Sequence, residues 1–293
     1  MHTINARTIL SAQNGINVYR GCLHGCIYCD TRSDCYQLKH DFEDIEVKIN
    51  APELLDEALQ KKRHKCMIST GSMCDPYLPV EKELCITRKC LMLVEQYGFG
   101  ADVLTKSDLV LRDLDILRKI NENTKAVVQM TLTTYDEELC RILEPNVCTT
   151  KRRVEVLKIM QEEGIPTIVW MCPLLPFIND TEENVNQIID DCIRCGVRGI
   201  MTYGMGLSLR NGNRQYFYKK LEEHFPGQKE RYIAAYGNAY HIPSPNQKKL
   251  YEIFRKRCAE HNIMSNENEI FSYLRSFEEK KKSKQLTIFD FIN

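Results

Sequence analysis

Three cysteines near the N-terminus carry the strongest chemical signal in the sequence. Cys22, Cys26 and Cys29 are spaced C-x3-C-x2-C, and Gly21 and Gly25 give the segment the freedom to turn tightly. Cysteine thiolates are the usual ligands of iron–sulfur clusters, which normally have four ligands. Three thiolates would bind three irons of a four-iron cluster. The spacing therefore predicts a cluster whose fourth iron is open to a small molecule with an amine and a carboxylate.

A structural zinc site is the alternative use of the same cysteines. Cys35 or His24 could supply the fourth ligand that a tetrahedral zinc ion needs. Zinc sites of this kind usually pair two C-x2-C segments, and only one is present here. The spacing therefore favours the iron–sulfur cluster.

Composition limits the classes of function. The 293 residues carry a formal net charge of zero, so no global attraction to nucleic acid or to an anionic membrane is expected. The sequence has no apolar run long enough to span a bilayer, and Met1–Gln13 lacks the pattern of a signal peptide. We expect a cytoplasmic protein whose 14 cysteines are reduced. The pair Cys192 and Cys195 lies on a predicted helix and is expected in the core.

Alternating strands and helices must position the cysteines. The predicted strands are Ile16–Arg20, Cys66–Thr70, Ala101–Thr105, Ala126–Thr133, Pro166–Cys172 and Val197–Tyr203. The predicted helices are Pro52–Arg63, Glu81–Tyr97, Asp108–Asn121, Asp136–Leu143, Thr150–Glu163 and Thr181–Cys195. This alternation predicts an α/β fold with a parallel sheet, and six units are fewer than the eight of a full TIM barrel.

The predicted architecture is thus a partial TIM barrel, (β/α)6, over residues 1–240. Pro243-Ser244-Pro245 then breaks the chain, and residues 241–293 form a predicted helical C-terminal extension with helices at Asn246–His261 and Asn266–Ser276. Ligands of parallel α/β folds bind at the carboxyl ends of the strands. Polar segments follow several of the predicted strands, so we expect the site at that edge.

The cysteine segment, with Tyr28 before its last cysteine, resembles the signature of the radical S-adenosylmethionine (SAM) superfamily. More closely, the chain resembles the spore photoproduct lyase-like branch over roughly residues 15–205. The matching segments are Ile68-Ser69-Thr70, Asp75-Pro76-Tyr77-x-Pro79-x-Glu81, Leu104-Thr105-Lys106-Ser107, Thr131–Thr134, Glu144-Pro145, Arg153 and Pro173–Asp180.

The resemblance implies a radical SAM enzyme with a [4Fe-4S] cluster and SAM as cofactors. It implies that an electron donor such as flavodoxin or ferredoxin reduces the cluster. Reductive cleavage of SAM would then give a 5′-deoxyadenosyl radical that abstracts hydrogen from a substrate. Nucleic acid is the leading substrate class, because the family includes DNA repair. Met171-Cys172-Pro173 and Tyr203-Gly204-Met205, which end the fifth and sixth predicted strands, would line the cavity or would equally be ordinary barrel core.

The resemblance also implies cofactor-binding residues, each with a structural alternative. The implied cofactor-binding residues are Tyr28, Asp75, Lys106, Thr131, Thr133 and Arg153. Asp75 could instead cap the turn before Pro76, Lys106 could be solvated, and the two threonines could reflect strand propensity. Arg153 could form an ion pair with Glu144 on a helix surface.

One position departs from the family pattern. In the spore lyase the hydrogen-atom donor is a cysteine two positions before the serine of a Cys-Thr-Ser-Asp run. Here the run is Ser72-Met73-Cys74-Asp75, so the donor position holds a serine, whose O–H bond is too strong to donate hydrogen readily. Cys74 is the candidate catalytic residue, as a donor shifted in position. The lyase reaction itself is not implied.

The last residues contain a second motif. Gln285-Leu286-Thr287-Ile288-Phe289 resembles the peptide that docks bacterial proteins on the DNA polymerase sliding clamp, and it follows a lysine-rich segment. The alternative is a terminal element packed on the barrel. Two other functions therefore stay open: a metal-stabilised, non-catalytic protein recruited to DNA by this peptide, and a radical SAM enzyme acting on a small molecule or protein.

Overall fold

A six-stranded sheet forms the centre of the computed structural model, which describes residues 1–280. In chain order the strands are β1 (His2–Ile4), β2 (Gly15–Ile16), β3 (Tyr19–Arg20), β4 (Glu46–Lys48), β5 (Met67–Thr70), β6 (Gly100–Thr105), β7 (Ala126–Thr131), β8 (Thr167–Trp170), β9 (Gly199–Met201), β10 (Gly206–Ser208) and β11 (His241–Pro243). The central sheet has the order β2-β5-β6-β7-β8-β9, and every neighbouring pair in it is parallel.

Helices connect these strands. They are α1 (Ala51–Lys61), α2 (Glu81–Leu84), α3 (Ile86–Gln96), α4 (Leu114–Asn123), α5 (Glu137–Leu143), α6 (Thr150–Glu162), α7 (Glu182–Arg194), α8 (Asn213–His224), α9 (Gln228–Tyr236), α10 (Gln247–Glu260) and α11 (Glu267–Arg275). No helix within residues 1–280 is long and apolar enough to cross a membrane.

Burial on both faces explains why most residues of the central strands are apolar and do not alternate with exposed polar ones. Every residue of β7 is buried, and α4 covers the sheet with Ile116, Leu117 and Ile120. Thr181, the first residue of the predicted helix Thr181–Cys195, caps α7 by accepting a hydrogen bond from the backbone N–H of Asn184. The α/β fold with its parallel sheet is confirmed. The closure of that sheet into a partial TIM barrel stays a prediction.

The predicted strand Ile16–Arg20 is wrong as a single element. Its first part is β2 of the central sheet, whereas its last part is β3, which pairs antiparallel with β4. Strand β4 also pairs in parallel with β1, giving a three-stranded sheet of order β1-β4-β3. The cysteine segment follows β3, so this small sheet lies at its start.

The predicted helix Glu81–Tyr97 is divided because Cys85 adopts a left-handed conformation, with φ of 52°. The buried Glu81 carboxylate then accepts hydrogen bonds from the backbone N–H groups of Ile86 and Thr87 at 3.0 and 3.1 Å, which caps α3. The predicted helix Asp108–Asn121 likewise begins as a 3-10 helix, Asp108–Asp113, before α4.

The chain after β9 contains elements that we did not predict, namely α8, α9 and the antiparallel pair β10–β11. The predicted helices at 246–261 and 266–276 are present as α10 and α11. Met264 forms a bridge with Gly199 of β9, and Ile270 is buried against the same edge of the sheet. The division at residue 240 stays a prediction, and Gln285–Phe289 lies outside the described residues.

Candidate active site

A cavity of about 180 Å³ opens where β5, β6, β7 and β8 end. The cysteine segment closes one side of it, and the residues after the strands close the other. Eight of the predicted site residues line this cavity together: Cys22, Cys26, Tyr28, Cys29, Cys74, Asp75, Lys106 and Thr131. A larger cavity of about 460 Å³ shares His24 with it but contains none of these eight residues.

The start of the cysteine segment rests on the loop before β4. The backbone N–H of Cys22 donates to the carbonyl of Phe42 at 3.0 Å. Gly21 has φ of +80°, and a Cβ there would lie 2.5 Å from the same carbonyl oxygen. Position 21 therefore requires glycine, both for its conformation and for the close approach of the loop.

The far side of the cysteine segment is held by the connection between α5 and α6. The N–H of Ile27 donates to the carbonyl of Leu143 at 3.0 Å. Asn146 donates its backbone N–H to the His24 carbonyl at 3.1 Å and its side-chain amide to the Leu23 carbonyl at 2.9 Å. The three thiols are thus carried by a segment fixed at both ends, as a metal centre requires.

Glu144 and Arg153 form a buried ion pair behind this segment, so the alternative of a helix-surface pair is wrong. Both side chains are 0% exposed. The Tyr28 hydroxyl donates to the Glu144 carboxylate, and Arg153 also donates to the Thr131 carbonyl at 3.1 Å. Burial opposes ionisation of Glu144, but Arg153 and Lys106 outweigh it and lower the pKa of the carboxyl.

Arg153 and Thr133 do not line the cavity, so this geometry does not favour their predicted contact with SAM. Arg153 acts on the cavity wall through Glu144 and Tyr28. The carbonyl of the buried Thr133 accepts hydrogen bonds from the amides of Asn179 and Asn184, at 2.8 and 3.0 Å. Both residues fix the wall of the site from behind.

Asp75 is surrounded by donors of its own chain. Its carboxylate accepts hydrogen bonds from the Thr105 hydroxyl at 2.7 Å, the Lys106 N–H at 2.8 Å and the Tyr77 N–H at 2.9 Å. The Nε2 atom of buried His24 lies 3.1 Å from it. Burial raises the pKa of Asp75, but His24 and these donors lower it to about 2. The hydrogen bond from the Tyr77 N–H agrees with the alternative that Asp75 caps the turn at Pro76.

Lys106 presents an ammonium to the cavity. No carboxylate within residues 1–280 lies within 4.0 Å of its nitrogen, although the residue is half-buried. Burial disfavours the charge, yet Cys26, Glu144 and Asp75 together raise the pKa of Lys106. The ammonium is therefore charged and available to an anionic ligand.

Cys74 lies beside the first predicted cluster ligand. Its thiol donates to the Gly21 carbonyl at 2.7 Å. The neighbouring Cys74 thiol lowers the pKa of Cys22 to about 6, and Cys22 in turn raises the pKa of Cys74. Ser72 lines the same cavity. Both positions at which the chain differs from the family pattern, 72 and 74, therefore face the site.

The donor set fits an iron–sulfur cluster better than zinc. Three thiols line one cavity, whereas the proposed fourth zinc ligands are placed elsewhere or engaged. Cys35 is exposed and accepts from Arg210 at 3.1 Å, outside the cavity lining. His24 lines the cavity but directs Nε2 at Asp75. A three-thiolate cluster with an open iron needs no fourth protein ligand.

Sequence reasoning missed Trp170, the last residue of β8, which lines the cavity with Cys172. The Trp170 indole donates to the Gln129 amide oxygen at 2.6 Å. Its ring centroid is 5.4 Å from that of Tyr203, which is 48% exposed. Met171 and Met205, expected at the cavity, are buried in the core instead. The position of Trp170 at the end of a predicted strand was the feature of the sequence that could have identified it.

Comparisons with known proteins agree with this geometry. The radical SAM superfamily profile matches residues 16–223. An uncharacterised protein of Methanocaldococcus jannaschii is 33% identical over 186 residues, covering 63% of this chain and 69% of the relative. An uncharacterised protein of Mycobacterium tuberculosis is 26% identical over 243 residues, covering 81% of this chain and 71% of the relative.

Solved structures share the fold. A spore photoproduct lyase variant aligns with a TM-score of 0.64 and 13% identity, covering 90% of this chain and 80% of that one. The lyase complexed with dinucleoside spore photoproduct aligns with the same TM-score, 12% identity and the same coverage. The chain belongs to the radical SAM superfamily, and its cofactors are a [4Fe-4S] cluster and SAM.

Proposed function

We propose that the protein is an enzyme that abstracts hydrogen from a nucleic-acid substrate. The observation that supports this most is the cavity that combines three thiols with the Lys106 ammonium, which has no carboxylate partner among the described residues. Cys22, Cys26 and Cys29 would hold the cluster. Bound together, the cluster and SAM supply a one-electron reductive cleavage that yields a 5′-deoxyadenosyl radical. The six-stranded sheet would curve as a partial TIM barrel around this cavity.

Lys106 would bind the carboxylate of SAM. A charge-assisted hydrogen bond between an ammonium and a carboxylate is about twice as strong as a neutral one. Tyr28 and Thr131 complete the wall, each supported from behind by the ion pair of Glu144 and Arg153. The chain would thereby orient SAM without using Asp75, whose carboxylate already accepts from the protein.

Nucleic acid is the substrate class that the cavity entrance supports. Trp170 lines the cavity, and the half-exposed Tyr203 lies beside it as an aromatic surface. Bases stack on such side chains at about 1–3 kcal/mol each. The likeness to the lyase complexed with a dinucleoside lesion adds an analogy of fold. Cys74 is the candidate donor in place of Ser72, so the reaction would differ from that of the lyase.

Two partners belong to the same proposal. A flavodoxin or ferredoxin would supply the electron. The peptide Gln285–Phe289 would dock the enzyme on the sliding clamp and so bring it to DNA.

Anaerobic reconstitution tests the radical chemistry. With iron, sulfide, SAM and dithionite, the wild type is expected to show iron–sulfur absorbance and to release 5′-deoxyadenosine. The Cys22/Cys26/Cys29→Ala variant should lose both, whereas Cys35→Ala, at an exposed cysteine outside the cavity, should keep both. Lys106→Met should keep the absorbance and bind SAM at least tenfold more weakly. Colourless protein containing tight zinc, without 5′-deoxyadenosine, would contradict the proposal.

Binding measurements test the substrate class. Fluorescence anisotropy with labelled single strands and duplexes, with and without ultraviolet damage, should show binding by the reconstituted wild type. Tyr203→Ala should weaken it, whereas Tyr135→Ala, at an exposed tyrosine outside the cavity lining, should not. Release of 5′-deoxyadenosine without nucleic-acid binding would retain the radical chemistry and redirect the search to small molecules or proteins.

A further inference from the structure

The small sheet brings together two histidines and a carboxylate that the proposed function does not use. His2 of β1 is paired in register with Glu46 of β4. His40 lies on the loop that leads back to β4, and its ring contacts that of His2 edge to face, with centroids 4.8 Å apart. One ring nitrogen of each histidine and one Glu46 oxygen all lie within 4.8 Å of one another.

Each imidazole is oriented through its Nδ1 atom. The His2 Nδ1 lies 2.9 Å from the Asp44 carboxylate, and the His40 Nδ1 lies 3.0 Å from the Asp41 carbonyl. Histidines that bind metals almost always donate one ring N–H to a carboxylate or carbonyl, which fixes the tautomer and leaves the other nitrogen for the metal. Both rings of this cluster meet that condition.

The remaining nitrogen of His40 is buried and lacks a ligand. Its Nε2 atom has no hydrogen-bond partner within the described chain and lies 3.8 Å from the nearer Glu46 oxygen. Two donors on a tetrahedral zinc ion, each at about 2.0–2.1 Å from it, are roughly 3.3 Å apart. A small side-chain rotation would therefore let His40 Nε2 and the Glu46 oxygen bind one zinc ion. Binding would also give the buried nitrogen a partner, and a buried nitrogen without one is unfavourable.

We propose that His2, His40 and Glu46 bind a divalent cation of the zinc type, separately from the cysteine cluster. Two imidazoles and one carboxylate are a donor set that zinc accepts with water as fourth ligand. Calcium and magnesium prefer all-oxygen sites, and the cluster's iron is held by sulfur. The donor set of this site therefore differs from the three thiolates that would bind the cluster.

The location of this site gives the ion a structural role. His2 lies in β1, whereas Glu46 lies in β4, so the site would fasten these two paired strands to each other. Phe42 lies between His40 and Glu46, and its carbonyl accepts from the N–H of Cys22. The ion would thus stabilise the loop on which the first cluster ligand rests.

Zinc stoichiometry of the holoenzyme tests the inference. Protein carrying its reconstituted cluster is freed of loose metal, equilibrated anaerobically with zinc, desalted and analysed for zinc and iron. Wild type should retain about one zinc per chain with unchanged iron, and His64→Ala, at an exposed histidine elsewhere, should match it. His40→Ala should lose that zinc, and Asp44→Asn should weaken its binding about 10–100-fold.

Two further measurements separate the site from its neighbours and from misfolding. The Cys22/Cys26/Cys29→Ala variant should keep one zinc, because its histidines are intact. Zinc should raise the melting temperature of the wild type but not that of folded Glu46→Gln, with folding checked by circular dichroism. Equal zinc in wild type and His40→Ala, or loss of all zinc in the cysteine variant, would overturn the inference.

Discussion

Asp75 and Asp102 both have buried carboxylates, yet these ionise in opposite ways. Asp75, at the carboxyl edge, faces His24 and several N–H and O–H donors, and its pKa is lowered to about 2. Within residues 1–280, Asp102, inside β6, accepts hydrogen bonds from the Gln129 amide at 2.6 Å and the Ser69 hydroxyl at 3.1 Å. The charge of Lys125 has a smaller effect on its pKa. Burial therefore raises the pKa of Asp102 to about 7.

The difference shows what a buried carboxylate needs in order to remain charged. At Asp102 two neutral donors and the weak effect of Lys125 do not compensate for the loss of water. At Asp75 the nearby His24, two backbone N–H groups and a hydroxyl do. Glu144 follows the same rule as Asp75, since Arg153 and Lys106 face it. The carboxylates of Asp75 and Glu144, at the carboxyl edge of the sheet, are thus charged. Asp102, inside a strand, holds its proton up to pH about 7.

Replacing Arg153 by Met should have the largest effect, because it removes the cation from Glu144. The free energy of unfolding should fall by about 3–5 kcal/mol, as for other buried ion pairs broken on one side. Glu144 would then resemble Asp102, with a raised pKa. Urea unfolding measures the loss. The double variant Glu144→Gln/Arg153→Met should recover much of it, and a single variant as stable as wild type would contradict this account.

The change Asp75→Asn should cost about 3 kcal/mol, because the amide cannot accept from all the donors and leaves His24 without its carboxylate. The segment bearing the thiols should loosen, so less cluster should be incorporated on reconstitution. Iron content and urea unfolding measure the two effects. Normal stability with full iron would show that the donors around Asp75 are not needed.

Replacing Asp102 by Asn should instead increase the free energy of unfolding. The folded chain holds the Asp102 proton up to pH about 7, whereas the unfolded chain releases it near its ordinary pKa of 3.8. The wild type therefore loses stability as the pH rises between these values. Asp102→Asn should therefore be more stable than wild type at pH 8 and nearly equal to it at pH 4. Thermal melting across this range tests the sign.

Ser69→Ala should have the smallest effect, about 1 kcal/mol, because it removes one neutral hydrogen bond from Asp102. With one donor fewer, the pKa of Asp102 should rise further. The loss should therefore be greater at pH 8 than at pH 4, which parallel urea titrations at the two pH values would show. A loss independent of pH would mean that this hydroxyl does not influence ionisation.

The sequence predicted what depends on local pattern. The C-x3-C-x2-C spacing identified the three thiols, and apolar runs separated by amphipathic segments located β5 to β9. The capped start of α7 at Thr181 was equally local. These features depend on residues within a few positions of one another, so no knowledge of the tertiary fold was needed.

Features that depend on distant contacts were not predicted. The burial of Arg153 follows from its position behind Tyr28, which no local pattern records. The division of Ile16–Arg20 between two sheets depends on the partner β4. The cluster of His2, His40 and Glu46 likewise needs the register of β1 on β4, which spacing along the chain does not give.

The long-range contact that holds the cysteine segment also has a consequence for biosynthesis. Tyr28 and Glu144, whose hydrogen bond holds the segment, are separated by 116 residues. At translation rates of roughly 5–20 residues per second, the ribosome needs on the order of 10 s to proceed from one to the other. The thiols are therefore made long before their support exists. We expect iron and sulfide to be delivered after the α5–α6 connection has left the ribosome, since a nascent chain without it presents three loose, oxidisable cysteines.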